Sequence, residues 1–176
     1  MCEFVVPPKK YSRAMRVLHW LVAVLVFITW PLGLIIQFVK DEVKLDFYLL
    51  HESFGFLVLW LMLVRLGLRM TTSTPAIEGG RVVRIAAAAV HGLLYLCLIA
   101  MPVSGFLATN AHGFALQWFG VLPIWSPLGP SPAIAPVLST VHTWCAWIVL
   151  TLFALHILAV IHHRLIRRDD TLHRIL

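Results

Sequence analysis

Residues 141–156 read VHTWCAWIVLTLFALH, an apolar stretch with a histidine near its start, another at its end, and no Asp, Glu, Lys or Arg between them. Across the 176-residue chain 60% of residues are hydrophobic and 12% are charged, whereas soluble domains have about 25% charged residues. A helix needs about 20 apolar residues to cross the hydrocarbon core of a bilayer. The stretch therefore indicates a membrane protein, and its two histidines, His142 and His156, call for a specific role.

Four runs of suitable length occur along the chain, at residues 17–39, 47–68, 85–107 and 138–162. They predict an all-α membrane protein, in which residues 1–176 form one domain built as a bundle of four transmembrane helices. Between the third and fourth runs, residues 111–136 contain five of the ten prolines, together with two tryptophans. Because aromatic residues favour the membrane interface, this loop is expected to pack as a cap over the outer end of the bundle.

The distribution of Lys and Arg predicts the orientation of the bundle. Twelve of the fourteen basic residues lie in the N-terminal segment, the second loop with its flanks, and the C-terminal tail, and only Lys40 and Lys44 lie in the first loop. Cytoplasmic loops carry the excess of Lys and Arg, so both termini are predicted to be cytoplasmic. The net charge of +6 is accounted for by this topology and does not indicate nucleic-acid binding.

The histidines of the four runs fall at two predicted depths. His51 and His142 lie near the outer surface, whereas His19, His91 and His156 lie in the inner half. Fourteen residues of helix rise about 21 Å and leave side chains roughly 40° apart, so His142 and His156 share one face of the fourth helix. The same offset of fourteen residues relates His19 to Gly33, His51 to Arg65 and His91 to Gly105.

Two b-type haems, one near each surface, would account for this pattern. A haem held between helices needs an imidazole on each side of its iron, glycine where the ring approaches the backbone, and a cation near its propionates. At the outer level His51 and His142 are the only helical histidines, so they form the predicted outer pair. The predicted supporting residues are Gly33, Gly55 and Gly105 around the outer ring and Arg65 near the propionates.

The inner level leaves two possibilities, because His156 can pair with either His19 or His91. Depth alone slightly favours His91, since His19 lies only three residues past Arg16, and spacing does not choose between them. Two roles without haem also stay open for these histidines. A transmembrane histidine can serve as an interhelical hydrogen-bonding group. A metal transporter would usually add carboxylates inside the bundle, and Glu52 is the only carboxylate that adjoins a helical histidine.

Four segments resemble the bacterial cytochrome b561 family of four-helix, dihaem inner-membrane proteins. They are KYSRAMRVLHWLV (10–22), HESFGFLVLWLMLVRLGLR (51–69), HGLLYLCLIAMPVSG (91–105) and LHILAVIHHRLIRRDDTLHRIL (155–176). The resemblance implies that His19 and His156 bind the inner haem iron and that His51 and His142 bind the outer one. It also implies a location in the bacterial inner membrane and electron transfer coupled to ubiquinone.

The best-defined activity of that family is superoxide oxidation, so the resemblance implies a superoxide:ubiquinone oxidoreductase. One feature departs from this expectation. An anion is steered by a positive surface, whereas Lys40 and Lys44 stand against four carboxylates in the first loop and the start of the second helix: Asp41, Glu42, Asp46 and Glu52.

Two further expectations concern partners. His162 and His163 follow His156 on the inner side, and their adjacency makes them a candidate quinone site. The alternative function is a haem-bearing membrane anchor subunit, which would relay electrons from a hydrogenase or dehydrogenase to quinone. In either case the expected partners are membrane lipid, ubiquinone, and superoxide or a redox partner protein.

Overall fold

The computed structural model describes residues 10–77 and 79–176. Lys9, which belongs to the basic N-terminal segment, lies outside the described residues. The structure has four long helices: α1 (Arg13–Ile35), α2 (Asp41–Thr71), α3 (Arg81–Ala111) and α4 (Ala135–Ile161). Each is long and apolar enough to cross a membrane, and the predicted all-α, four-helix membrane fold is confirmed.

Short helical turns continue two of these helices. A 3₁₀ turn (Ile36–Phe38) follows α1, a π-helical turn (His162–Arg167) follows α4, and a further 3₁₀ turn (Leu172–Arg174) lies in the tail.

Helix α2 begins six residues before its apolar run, at Asp41 and Glu42. Acidic side chains are favourable in the first turn of a helix because they complement its dipole, so a charged segment extends the helix beyond the apolar span.

Consecutive helices pack against each other, α1 on α2, α2 on α3 and α3 on α4. Helices α1 and α4 meet mainly through aromatic side chains. The indole of Trp30 donates a hydrogen bond to the Ala146 carbonyl over 3.1 Å, its ring centroid lies 5.8 Å from that of Trp147, and those of Phe27 and Phe153 are 6.0 Å apart. We call this aromatic contact the α1–α4 seam.

The two ends of the bundle carry different parts of the chain. Both described ends of the chain lie on one side, which we call the terminal side, and the loop between α3 and α4 lies on the other, which we call the cap side.

In the loop between α3 and α4, β1 (Gln117–Trp118) and β2 (Leu122–Pro123) pair as an antiparallel hairpin. At its tip Phe119 (φ 49°) and Gly120 (φ 70°) adopt the left-handed conformation that this tight turn requires.

Ser53 of α2 holds the hairpin in place. This serine is fully buried, its carbonyl accepts a hydrogen bond from the Trp118 indole over 3.2 Å, and its hydroxyl accepts one from the Phe119 amide over 2.8 Å. Ser53 lies two residues after His51. The hairpin is therefore fixed to α2 at the level of His51, one of the candidate haem ligands.

On the terminal side the tail folds back against the start of α1. The Tyr11 amide donates to the Arg174 carbonyl over 3.0 Å, and the Trp20 indole donates to the Ile175 carbonyl over 3.2 Å. The Arg16 guanidinium donates to the Leu176 oxygen. The last residues of the chain thus form part of the surface around α1.

Candidate functional site

His51 of α2 and His142 of α4 face each other on the cap side. Their ring centroids are 6.0 Å apart and the ring planes are nearly perpendicular, at 88°. An imidazole nitrogen lies about 2 Å from a metal that it binds, so two imidazoles on opposite sides of one metal have centroids roughly 6 Å apart. The pair is therefore spaced to hold one iron between the two rings.

Hydrogen bonds select, in both rings, the tautomer that leaves Nε2 free to bind a metal. The Nδ1 atom of His51 lies 2.9 Å from the Thr29 carbonyl oxygen, and that of His142 lies 2.7 Å from the Met101 carbonyl oxygen. A carbonyl oxygen can only accept, so each Nδ1 carries the proton and each Nε2 keeps its lone pair. A second hydrogen bond of this kind is what orients a metal-binding histidine.

These same hydrogen bonds account for Gly33 and Gly105. In an α-helix the carbonyl of one residue points toward the residue four positions later, which is Gly33 for Thr29 and Gly105 for Met101. A Cβ atom at Gly33 would lie 2.5 Å from Cε1 of His51, and one at Gly105 would lie 2.7 Å from Nδ1 of His142. Each glycine leaves space for an imidazole, whereas its predicted role was to leave space for the haem ring.

Gly55 has a different environment. A Cβ atom there would lie 3.9 Å from Cγ2 of Thr29, an ordinary contact. No side chain among the described residues therefore requires a glycine at this position, and its predicted role beside a haem stays a prediction.

Three histidines meet on the terminal side. The centroids of His19 and His156 are 6.3 Å apart, and those of His91 and His156 are 5.4 Å apart. The first separation resembles that of His51 and His142, whereas the second is shorter than two rings on one iron need. The geometry thus favours His19 over His91 as the partner of His156.

Arg65 contacts the His19 ring. Its Nη2 atom lies 3.1 Å from Nδ1 of His19, and because a guanidinium only donates, this Nδ1 accepts and Nε2 carries the proton. To bind iron through Nε2, His19 must release this bond, which frees the guanidinium. The Nε atom of Arg65 is buried and has no hydrogen-bond partner within residues 10–77 and 79–176, so this cation has spare donors for an anionic group such as a propionate.

Aromatic and cationic groups surround Arg65. Its guanidinium lies 5.3 Å from the ring centroid of Tyr95, and that of Arg69 lies 5.7 Å from the same centroid, which are cation–π distances.

His162 and His163 lie beyond α4 in the π-helical turn. Nδ1 of His163 lies 2.6 Å from the Asp169 carboxylate, which also accepts a hydrogen bond from the Thr171 amide over 3.1 Å. Burial would raise the pKa of Asp169, but hydrogen bonds from Thr171 and His163 outweigh it and hold that pKa at about 2. His163 is thus tied to the tail, and His162 is exposed beside it.

Sequence reasoning did not identify the groups that orient the cap-side pair. Backbone carbonyls leave no sequence signal, so Thr29 and Met101 could be found only through their glycines four residues later. Sequence reasoning also identified no partner for Glu52. In the structure the Thr109 hydroxyl donates to the Glu52 carboxylate over 2.8 Å, which links α2 to α3 next to His51.

Comparisons with known proteins identify the family of the chain. A family model described as prokaryotic cytochrome b561 matches residues 10–176. The chain is 31% identical to cytochrome b561 homolog 2 of Escherichia coli, covering 99% of this chain and 95% of the relative. It is 28% identical to the probable superoxide oxidase CybB of Yersinia pestis, covering 96% of each, and 27% identical to cytochrome b562 of Cereibacter sphaeroides, covering 94% of each.

Proposed function

Because this chain belongs to the prokaryotic cytochrome b561 family, we propose that it is a dihaem cytochrome that oxidises superoxide on its cap side and reduces ubiquinone on its terminal side. Members of this family transfer electrons across membranes, and membership implies b-type haem. The proposed location is the bacterial inner membrane, with the termini in the cytoplasm and the cap side facing outward. The excess of Lys and Arg in the N-terminal segment, in the second loop with its flanks and in the C-terminal tail supports that orientation.

Two histidine pairs at separate levels of the bundle carry this proposal. His51 with His142 would hold one haem, and His19 with His156 would hold the other, at centroid separations of 6.0 and 6.3 Å. When bound, the haems would supply one-electron oxidation and reduction. The protein's own contribution is to orient the imidazoles, to bury them, and to keep the two sites at different depths.

Substitution of single histidines tests the assignment. Each of His19→Ala, His51→Ala, His142→Ala and His156→Ala is expected to lose one of two haems, measured as haem per chain by the pyridine haemochrome absorbance. His91→Ala is the matched control and is expected to keep both. If His91→Ala loses a haem while His19→Ala keeps two, the terminal-side assignment is wrong.

Superoxide as the electron donor is supported by the resemblance to superoxide-oxidising members and by the name of the Yersinia relative. The charges of the cap side support it less. Lys44, one of the two lysines of the first loop, forms an ion pair with Asp41 over 2.7 Å. The pair therefore adds no net positive charge that would attract an anion.

The alternative function draws on the same surface. An acidic first loop, together with the exposed Val121 (84%) and Trp125 (81%) of the cap, suits a docked redox protein with a basic face. In that case the chain would be a haem-bearing anchor that relays electrons from a hydrogenase or dehydrogenase to quinone.

Stopped-flow mixing separates the two functions. With superoxide and a short-chain ubiquinone, an oxidoreductase accelerates superoxide loss and forms quinol in proportion, whereas an anchor alone does neither. Reduction of the haems by dithionite, followed by their reoxidation with ubiquinone, checks the terminal-side reaction independently of the donor.

The candidate quinone site is His162 with His163. Quinone reduction takes up protons, and an imidazole that donates to a carboxylate, as His163 does to Asp169, can hold and transfer one. A double variant, His162→Ala with His163→Ala, is expected to slow haem reoxidation by ubiquinone at least about tenfold, while the exposed His173→Ala serves as control. Unchanged reoxidation in the double variant, with normal haem spectra, would exclude this site.

A further inference from the structure

A groove of about 530 Å³ runs along α1 on the terminal side of the bundle. Its walls contain Arg13, Arg16, Val17, Trp20, Leu21, Val24, Ile175 and Leu176. The two arginines lie at one end, and the aliphatic residues of α1 continue from them toward the middle of the bundle. The groove is thus cationic at the membrane interface and apolar below it.

The groove is as long as one leaflet of a bilayer is deep. From Arg13 or Arg16 to Val24 the helix rises about 12 to 16 Å, and half of the hydrocarbon core is about 15 Å. Val17, Leu21 and Val24 are exposed at 51%, 47% and 57%, on a helix that spans the membrane. Their face therefore suits an acyl chain that lies parallel to the helix.

The polar end of the groove has donors to spare. One nitrogen of Arg16 donates to the Leu176 oxygen, while its buried Nε has no hydrogen-bond partner among the residues that the structure describes. Arg13, one turn earlier, is exposed. Two guanidiniums one turn apart can hold a phosphate through several charge-assisted hydrogen bonds, and basic pockets beside transmembrane helices bind anionic lipid headgroups.

We propose that this groove binds one anionic phospholipid, with its phosphate on Arg13 and Arg16 and an acyl chain along Val17, Leu21 and Val24. A quinone is a less suitable occupant, because its uncharged headgroup gives the two cations no counter-charge. The lipid would lie against Trp20, whose ring contacts His19 at a centroid separation of 5.3 Å. It would thereby support the terminal-side pair from its membrane face.

The test measures lipid binding by native mass spectrometry of the purified haem-containing protein in detergent. Wild-type protein is expected to retain one phosphatidylglycerol with strong preference over phosphatidylcholine of the same acyl chains, and inorganic phosphate is not expected to displace it. Arg13→Gln with Arg16→Gln is expected to bind phosphatidylglycerol at least about tenfold more weakly. Arg81→Gln with Arg84→Gln, which removes the same charge from the first turn of α3, is expected to bind like wild type.

Equal binding of phosphatidylglycerol and phosphatidylcholine by the wild-type protein would overturn the proposal, even if the double glutamine variant failed to fold. Equal loss in both double variants would also overturn it, because the effect would then be one of net charge. Displacement by inorganic phosphate at equal concentration would show that the groove recognises the headgroup alone, and the acyl part of the proposal would be wrong.

Discussion

Gly33 and Gly105 occupy equivalent positions in two different helices. Each follows by four residues the carbonyl that accepts the Nδ1 proton of a histidine from a neighbouring helix. A side chain at either position would enter the space of that imidazole. The hydrogen bond and the glycine are thus linked at both positions, because each imidazole occupies the space that a Cβ atom on the glycine would take.

We expect Gly105→Ala to displace His142 and to reduce the haem content from two to about one per chain. The new Cβ atom would lie 2.7 Å from the ring, and the imidazole could move away only by losing its hydrogen bond to the Met101 carbonyl. Gly92→Ala in the same helix meets nothing within 4 Å and should keep both haems, with a slight gain in helix stability. Two normally ligated haems in Gly105→Ala would contradict this role of the glycine.

Arg65 contacts His19 of the other pair. A cation beside a haem favours its reduced form, so Arg65→Gln should lower the midpoint potential of the proposed terminal-side haem by roughly tens of millivolts. Arg69→Gln, an exposed cation one turn later, should change it less. Potentiometric titration of the two haems measures both variants, and an unchanged or raised potential in Arg65→Gln would show that this cation does not face the haem.

At the scale of elements, the tail that follows α4 is held by a carboxylate. The pKa of Asp169 is about 2 in the folded protein, against an ordinary value of 3.8. A lowered pKa means that the ionised form stabilises the fold. This contribution is present above pH 4 and is lost as the pH falls through about 2.

We therefore expect the amides of residues 169–176 to exchange faster with solvent as the pH is lowered from 4 toward 2, after correction for the intrinsic rate. Asp169→Asn should show the fast exchange already at neutral pH, while Asp170→Asn, exposed and next in sequence, should behave like wild type. Hydrogen–deuterium exchange with mass spectrometry measures all three. Slow exchange in Asp169→Asn would mean that other contacts hold the tail.

The four membrane spans could be predicted from the sequence, whereas the helix ends and the histidine pairing on the terminal side could not. The four spans followed from hydropathy, because a bilayer demands about 20 apolar residues whatever the tertiary contacts. The helix ends did not, since Asp41 and Glu42 extend α2 through local electrostatics rather than hydropathy. The resemblance implied His19 rather than His91 as the partner of His156, and this assignment stays a prediction. Spacing alone could not make the choice, because it depends on the rotation of α1 and α3 about their axes.

At the scale of the whole molecule, the α1–α4 seam closes the bundle with side chains. Trp30→Phe would keep the aromatic contact with Trp147 but remove the hydrogen bond to Ala146, at a cost of about 1 kcal/mol. The expected result is a thermal midpoint lower by a few degrees in detergent. Trp60→Phe, at an exposed position of α2, should leave the midpoint unchanged, and equal shifts in both variants would contradict a specific role for the seam.

Helix α4 contributes a histidine to each pair, His142 on the cap side and His156 on the terminal side, and it follows the other three long helices in chain order. During synthesis α1, α2 and α3 can enter the membrane and pack one after another while both pairs still lack a member. Neither proposed site is complete until α4 arrives. Loading of the two proposed haems would therefore be a late event in biogenesis, and a chain whose synthesis stops before α4 would lack one histidine of each proposed pair.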